Sequence, residues 1–297
     1  MNKRQLILLS IGSLLLVLAA AMLICLVNHR SNLSEEQIQR RMNILHGSAA
    51  VPVAPNRSEI MAEVEGVEKG DFPIVHLTLQ IIESRDISEF NNLLEPGRTI
   101  EASPQYVYEY RAGARQIVLT DPQNIRNFQA YYLFPKDRFR AMAWAKGGPG
   151  NLNWSITDIT RIAGQEPVFG PVVSPSPAPI APNKSRITGS VLKVERKDYP
   201  QVELTLRVME SRDIGDFYNF LGPGVTITAR PEYVYEKDTF VPTEPRNSRN
   251  LLAYYLVTGD IIEAEASLYP GNGRLTWVIS DLERVPQESE VENNGSR

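Results

Sequence analysis

Residues 83–109 recur as residues 210–236, with 18 of 27 positions identical at an offset of 127. Glu83-Ser84-Arg85-Asp86-Ile87 returns as Glu210-Ser211-Arg212-Asp213-Ile214. Tyr106-Val107-Tyr108-Glu109 returns as Tyr233-Val234-Tyr235-Glu236. Further on the offset is 123: Ala130-Tyr131-Tyr132-Leu133 matches Ala253-Tyr254-Tyr255-Leu256, Trp154 matches Trp277, and Arg161 matches Arg284. The four-residue difference places a loop of variable length between Tyr110 and Asn127. A repeat of this length is a duplicated domain, well beyond the roughly 20–50-residue unit of a solenoid. Any fold must therefore be solved twice by about a hundred residues.

Composition shifts mark the boundaries. Residues 163–184 hold six prolines in 22 positions, which favours an extended, semi-rigid spacer between the copies. The repeats then cover residues 58–162 and 185–285, and the acidic, polar tail 286–297 is expected to be disordered. At the other end, residues 6–27 carry no charged side chain. As a helix these 22 residues reach about 33 Å at ~1.5 Å per residue, enough for a bilayer core of about 30 Å. Residues 1–30 are thus expected to be a single-pass signal-anchor. A cleaved signal peptide and a lipoprotein modified at Cys25 are the alternatives. Lys3 and Arg4 favour a cytoplasmic amino terminus, which would put the bulk of the chain outside the cytoplasm, at the cell membrane. In residues 31–57, Ser34 and Gln37 form a capping box for a short juxtamembrane helix that Pro52 and Pro55 end.

Within each repeat the hydrophobic period is two. Val75, Leu77, Leu79 and Ile81 alternate with His76, Thr78 and Gln80; Val202, Leu204, Leu206 and Val208 alternate with Glu203, Thr205 and Arg207. That is the pattern of half-buried strands, and it puts His76 on the solvated face. Strands are also expected over residues 62–68, 98–109, 128–133 and 137–145, with counterparts in the second copy. Gly147-Gly148-Pro149-Gly150 and Pro270-Gly271-Asn272-Gly273 are the turns of closing hairpins, and Trp154 and Trp277 are core residues of the last strands. The fold class is mainly β, and the strand order resembles an OB-fold, a small five-stranded Greek-key barrel. A two-sheet β-sandwich is the alternative.

Several chemistries are excluded or unsupported. The one cysteine, Cys25, lies in the apolar run, so the repeats can form neither disulfides nor thiolate zinc sites. Three histidines, His29, His46 and His76, offer no catalytic pair. No phosphate-cradling glycine loop, cofactor motif or metal-ligand spacing is present, and the expectation is a non-enzymatic protein without cofactor or metal.

Two groups are candidate partner-binding residues. Arg85 and Asp86, with Arg212 and Asp213, could recognise a carboxylate or phosphate; otherwise they close a loop, the aspartates capping a helical turn. Tyr106 and Tyr108, with Tyr233 and Tyr235, are expected to share one strand face. OB-fold likeness implies oligonucleotide or oligosaccharide binding by such aromatics. Each repeat carries a net charge of −3, with no basic run, which argues against nucleic acid. The expected role is a membrane-anchored scaffold that binds an envelope protein or glycan. The alternatives are a carboxylate-dependent glycan hydrolase and a cytoplasm-facing binder of single-stranded nucleic acid.

Overall fold

The computed structural model describes residues 55–111, 113–148, 151–163, 183–271 and 274–286. The expected anchor, most of the juxtamembrane segment, the proline-rich linker and the acidic tail lie outside the described residues. Among the described residues no helix is long and apolar enough to cross a membrane.

The first repeat is a closed five-stranded barrel of β1 (Ser58–Lys69), β2 (Val75–Asp86), β3 (Thr99–Pro104), β6 (Arg138–Gly148) and β7 (Asn151–Arg161), in the order β1-β2-β3-β7-β6. β1, β2 and β3 form an antiparallel meander, β3 pairs parallel with β7, and β6 closes antiparallel on β1. The second repeat repeats this with β8 (Ser185–Arg196), β9 (Val202–Asp213), β10 (Thr226–Pro231), β13 (Ile261–Gly271) and β14 (Arg274–Val285). Two closed barrels, not two-layered sandwiches, are what the alternating strands build. This is the tandem OB-like architecture. Every second residue points inward, so Ile60, Leu77, Leu79 and Ile156 are sealed in one barrel and Ile187, Leu204, Leu206 and Ile279 in the other. Trp154 and Trp277 are buried with them.

Two expected strands take other forms. Residues 128–132 are helical: α1 (Pro122–Asn127) runs into a 3-10 turn over Phe128–Tyr132, matched by α2 (Pro245–Asn250) and α3 (Leu252–Tyr255). Asp121 and Glu244 cap α1 and α2 by accepting backbone N–H bonds, and a proline follows each cap. The expected third strands also stop early, at Pro104 and Pro231. Beyond them lie separate hairpins, β4 (Tyr108–Arg111) with β5 (Ala114–Ile117), and the shorter β11 (Tyr235–Glu236) with β12 (Thr239–Phe240). This hairpin accounts for the variable loop.

Apart from residues 146–152 at the tip of the β6–β7 hairpin, both barrels belong to one compact unit. They meet through tyrosine, aspartate and arginine side chains that are identical in the two copies, together with backbone carbonyls at matching positions. The Tyr132 and Tyr255 rings stack with centroids 5.1 Å apart and an interplanar angle of 18°. Tyr132 Oη donates to Ser248 O at 2.6 Å, and Tyr255 Oη donates to Ile125 O at 2.8 Å. Ser248 and Ile125 are themselves counterparts at the offset of 123. Arg161 donates through Nη1 (2.9 Å) and Nη2 to the Asp260 carboxylate, and Arg284 donates to that of Asp137. The cross-distances, Arg161–Asp137 and Arg284–Asp260, are 3.6 and 3.7 Å. Burial raises the carboxyls of both Asp137 and Asp260 above the ordinary aspartate range, while Arg161 opposes the rise. These tyrosine and arginine–aspartate contacts come in mated pairs, the self-complementary pattern of a two-fold dimer held within one chain, although Arg284 also lies 4.6 Å from the Phe134 ring centroid, where the other copy has Val257.

Candidate ligand face of the second barrel

Arg85 and Arg212 lie at the ends of β2 and β9, exposed, and among the described residues each pairs with a local glutamate: Arg85–Glu83 at 3.4 Å and Arg212–Glu210 at 3.3 Å. Such surface pairs contribute little. Asp86 and Asp213 are the last residues of these strands and cap no helix; a turn follows, with Ile87 bridging Phe90. Another member explains the repeated block. Ser84 Oγ and Ser58 Oγ donate to Asn92 Oδ1 at 2.9 and 2.6 Å, and Asn92 Oδ1 also accepts from Leu94 N at 2.9 Å. Ser211, Ser185 and Leu221 N do the same at Asn219. This network ties the strand end to the turn beyond it.

The tyrosines separate by depth. Tyr106 is buried, its hydroxyl donating to Pro73 O at 2.8 Å; Tyr233 makes the equivalent bond to Pro200 O at 3.2 Å. Burial pushes both phenols well above the ordinary tyrosine range. Tyr108 and Tyr235 stand on the small hairpins, partly open to solvent. The Arg-Asp pairs sit at one end of strands 12 residues long and the tyrosines at the other. At ~3.3 Å per residue the two groups are therefore tens of ångströms apart. They do not form one site.

In OB-folds the outward face of the second and third strands is the ligand platform. Here those strands are β2–β3 and β9–β10. On the second barrel this face, with the adjoining part of β8, pairs Lys193 with Thr205 and Glu195 with Glu203, and Thr226 with Arg207. Arg230 extends the row from β10: its Nε and Nη2 donate to Glu203 Oε2 at 2.9 and 2.8 Å, and Lys197 Nζ is 3.9 Å from the same carboxylate. Lys193, Lys197, Arg207 and Arg230 face Glu195 and Glu203, so two positive charges are in excess on a barrel that is negative overall. The matching positions of the first barrel hold Gly66, Gly70, Gln80 and Ser103 in place of the four cations, and Glu68 and His76 in place of the two glutamates. Glu101 replaces Thr228, so that face carries two acids, Glu68 and Glu101, and no lysine or arginine at these positions. His76 Nδ1 and Ser103 Oγ are hydrogen-bonded at 2.8 Å where the second barrel has its ion pair.

Two grooves flank the segment that leaves β10. The first, of about 230 Å³, is lined by Lys197, Gln201, Glu203, Arg230, Pro231, Tyr233 and Tyr235. It joins cations to the exposed ring of Tyr235. The second, of about 220 Å³, lies behind Glu232 and is lined by Phe217, Tyr269, Arg246, Ser267 and Ser280 among others. Sequence reasoning found Tyr233 and Tyr235 but missed Lys197 and Arg230. Their signal is a difference between the copies, cations where the first repeat has glycine and serine, and an average over each repeat removes it. Among the described residues no group of three or more His, Cys, Asp or Glu side chains is arranged to hold a metal ion.

No protein-family model matches the chain, and no curated protein matches it. Among solved structures it is similar to the wild-type single-stranded DNA binding protein from Thermus aquaticus, at 12% identity and a TM-score of 0.24, over 84% of this chain and 100% of that one. It is also similar to a deletion mutant of that protein, at 10% identity and a TM-score of 0.21, over 82% of this chain and 98% of that one. The OB-like architecture stands on the strand order of the barrels themselves, not on these distant likenesses.

Proposed function

We propose that the chain is a non-catalytic binding protein whose second barrel takes a single-stranded nucleic acid across the β9–β10 face, with the first barrel as its packing partner. The observation that supports this is the cationic excess of that face beside the exposed Tyr235. Lysine and arginine neutralise phosphates, and an aromatic ring stacks on any base. The net charge of −3 per repeat is the weaker guide, because a ligand meets one face and not the domain average. An envelope protein or neutral glycan would use the tyrosines but leave the cations without a role. The apolar run at 6–27 would hold the barrels at a membrane, and protease access to a reporter fused at the carboxyl end would show on which side.

The test is fluorescence anisotropy of a labelled fifteen-nucleotide oligothymidylate titrated with the protein over a series of salt concentrations. Affinity is expected to fall with salt, with a slope of about −0.7 per phosphate contacted in log K against log salt. Lys197→Ala with Arg230→Ala should weaken binding and flatten that slope, while His76→Ala should change neither. Salt-independent binding, or a slope the double variant leaves untouched, would refute the proposal.

A further inference from the structure

The second groove carries exposed aromatic surface. Phe217 is 45% exposed and Tyr269 51% exposed, and both line it. The first barrel is an internal control. At the matching positions it has Phe90, only partly exposed, and Lys146; Trp144 stands where the second barrel has Ser267. The first barrel closes with the same strand order with Lys146 in place of Tyr269 and with Phe90 less exposed than Phe217, so barrel closure alone requires neither the Tyr269 ring nor the greater exposure of Phe217.

The charges around this groove are matched. Arg246 Nη2 lies 2.8 Å from Glu232 Oε2, and Lys184 pairs with Glu265. Here two cations meet two carboxylates, whereas in the first groove Lys197 and Arg230 share the single carboxylate of Glu203, so this groove has the weaker hold on a phosphate. Its two rings and the hydroxyls of Ser267 and Ser280 suit a flat, neutral group with hydrogen-bonding edges. Position supplies the link to the cationic groove. Pro231 and Tyr233 line one groove and Glu232, between them, lines the other, so the two share one wall.

We infer that this groove is a second base-stacking subsite, reached by a strand that is held by phosphate at Lys197 and Arg230 and crosses the Pro231–Tyr233 segment. The inference rests on the nucleic-acid reading above. It divides the labour: the first groove supplies unbalanced positive charge and the exposed Tyr235 ring, the second supplies the Phe217 and Tyr269 rings with neutral hydroxyls beside them. Only a ligand long enough to cross the shared wall uses both.

Two probes separate the grooves, a five-nucleotide and a fifteen-nucleotide oligothymidylate, each measured by anisotropy on the intact chain. Base–aromatic stacking predicts that Phe217→Ala and Tyr269→Ala each weaken the longer probe about five- to a hundredfold. The shorter probe and the salt slope should be unchanged, and Tyr269→Phe, which keeps the ring, should bind like the parent. If both alanine variants bind the longer probe like the parent while Arg230→Ala loses it, the subsite is refuted and the nucleic-acid reading stands. If the parent shows no salt-sensitive binding of either probe, both fall together.

Discussion

The two barrels are alike where they touch each other and unlike where they face outward. At their contact, Tyr132, Asp137 and Arg161 of one are Tyr255, Asp260 and Arg284 of the other. On the β2–β3 and β9–β10 faces the positions of Lys193, Lys197, Arg207 and Arg230 are Gly66, Gly70, Gln80 and Ser103. A self-complementary contact ties each residue to its own counterpart, so a change on one side leaves a buried partner unmatched on the other. An outward face answers only to its ligand. The duplication thus kept its packing and let its surfaces part, and the second barrel holds both grooves described above.

The sharpest way to break this comparison is at the buried charges. Arg161 and Arg284 side chains are only 6% and 4% exposed. Removing either leaves an aspartate buried without its main partner, a loss of about 3–5 kcal/mol. Arg161→Ala and Arg284→Ala should therefore lower the urea midpoint strongly and by similar amounts. A large cost for one and none for the other would show that the contact is not symmetric in energy. The stacked tyrosines give a finer measure. Tyr132→Phe and Tyr255→Phe keep the rings but leave the Ser248 and Ile125 carbonyls without their donors, for about 1 kcal/mol each. Unequal losses in chemical denaturation would mark which half of the contact is the tighter.

These same features explain what could be read in advance. Duplication and barrel strands were legible because a period of two is local, and Val75 to Ile81 and Val202 to Val208 each show it. The helices were hidden because 128–133 is a short apolar run, which periodicity alone cannot assign. The local cue was Asp121-Pro122 and Glu244-Pro245, a cap followed by a proline in both copies. The Tyr106 and Tyr108 pairing failed because the chain leaves the barrel strand at Pro104, so one ring turns inward and the other rides a hairpin. The ligand face was hidden because its cations come from β8, the turn after it, β9 and β10, and meet only when the barrel closes. The interface could be seen as matched residues but not as a contact, since Arg161 and Asp260 are 99 positions apart.

The smallest expected effect concerns a contrast at the barrel seam. In the first barrel Glu63 accepts from Lys136 Nζ and Arg138 Nε, both at 3.0 Å. In the second the same positions are Ser190, Gly259 and Ile261, with nothing to titrate. Burial raises the Glu63 carboxyl, but the hydrogen bonds and charges of Lys136 and Arg138 outweigh it and hold its pKa below the ordinary value of 4.5. A carboxylate whose pKa is depressed by folding adds stability above its unfolded pKa, and that stability is lost as pH falls through the folded one. Both cations are well exposed, so solvent screening keeps the contribution under about 1 kcal/mol. The stability difference between the parent and Glu63→Gln should hold its full value at neutral pH and shrink towards zero below pH 4.5. It should also shrink with added salt at neutral pH. A difference that stayed constant across that range would mean that Glu63 acts through shape alone, and that the first barrel's seam owes nothing to charge that the second barrel lacks.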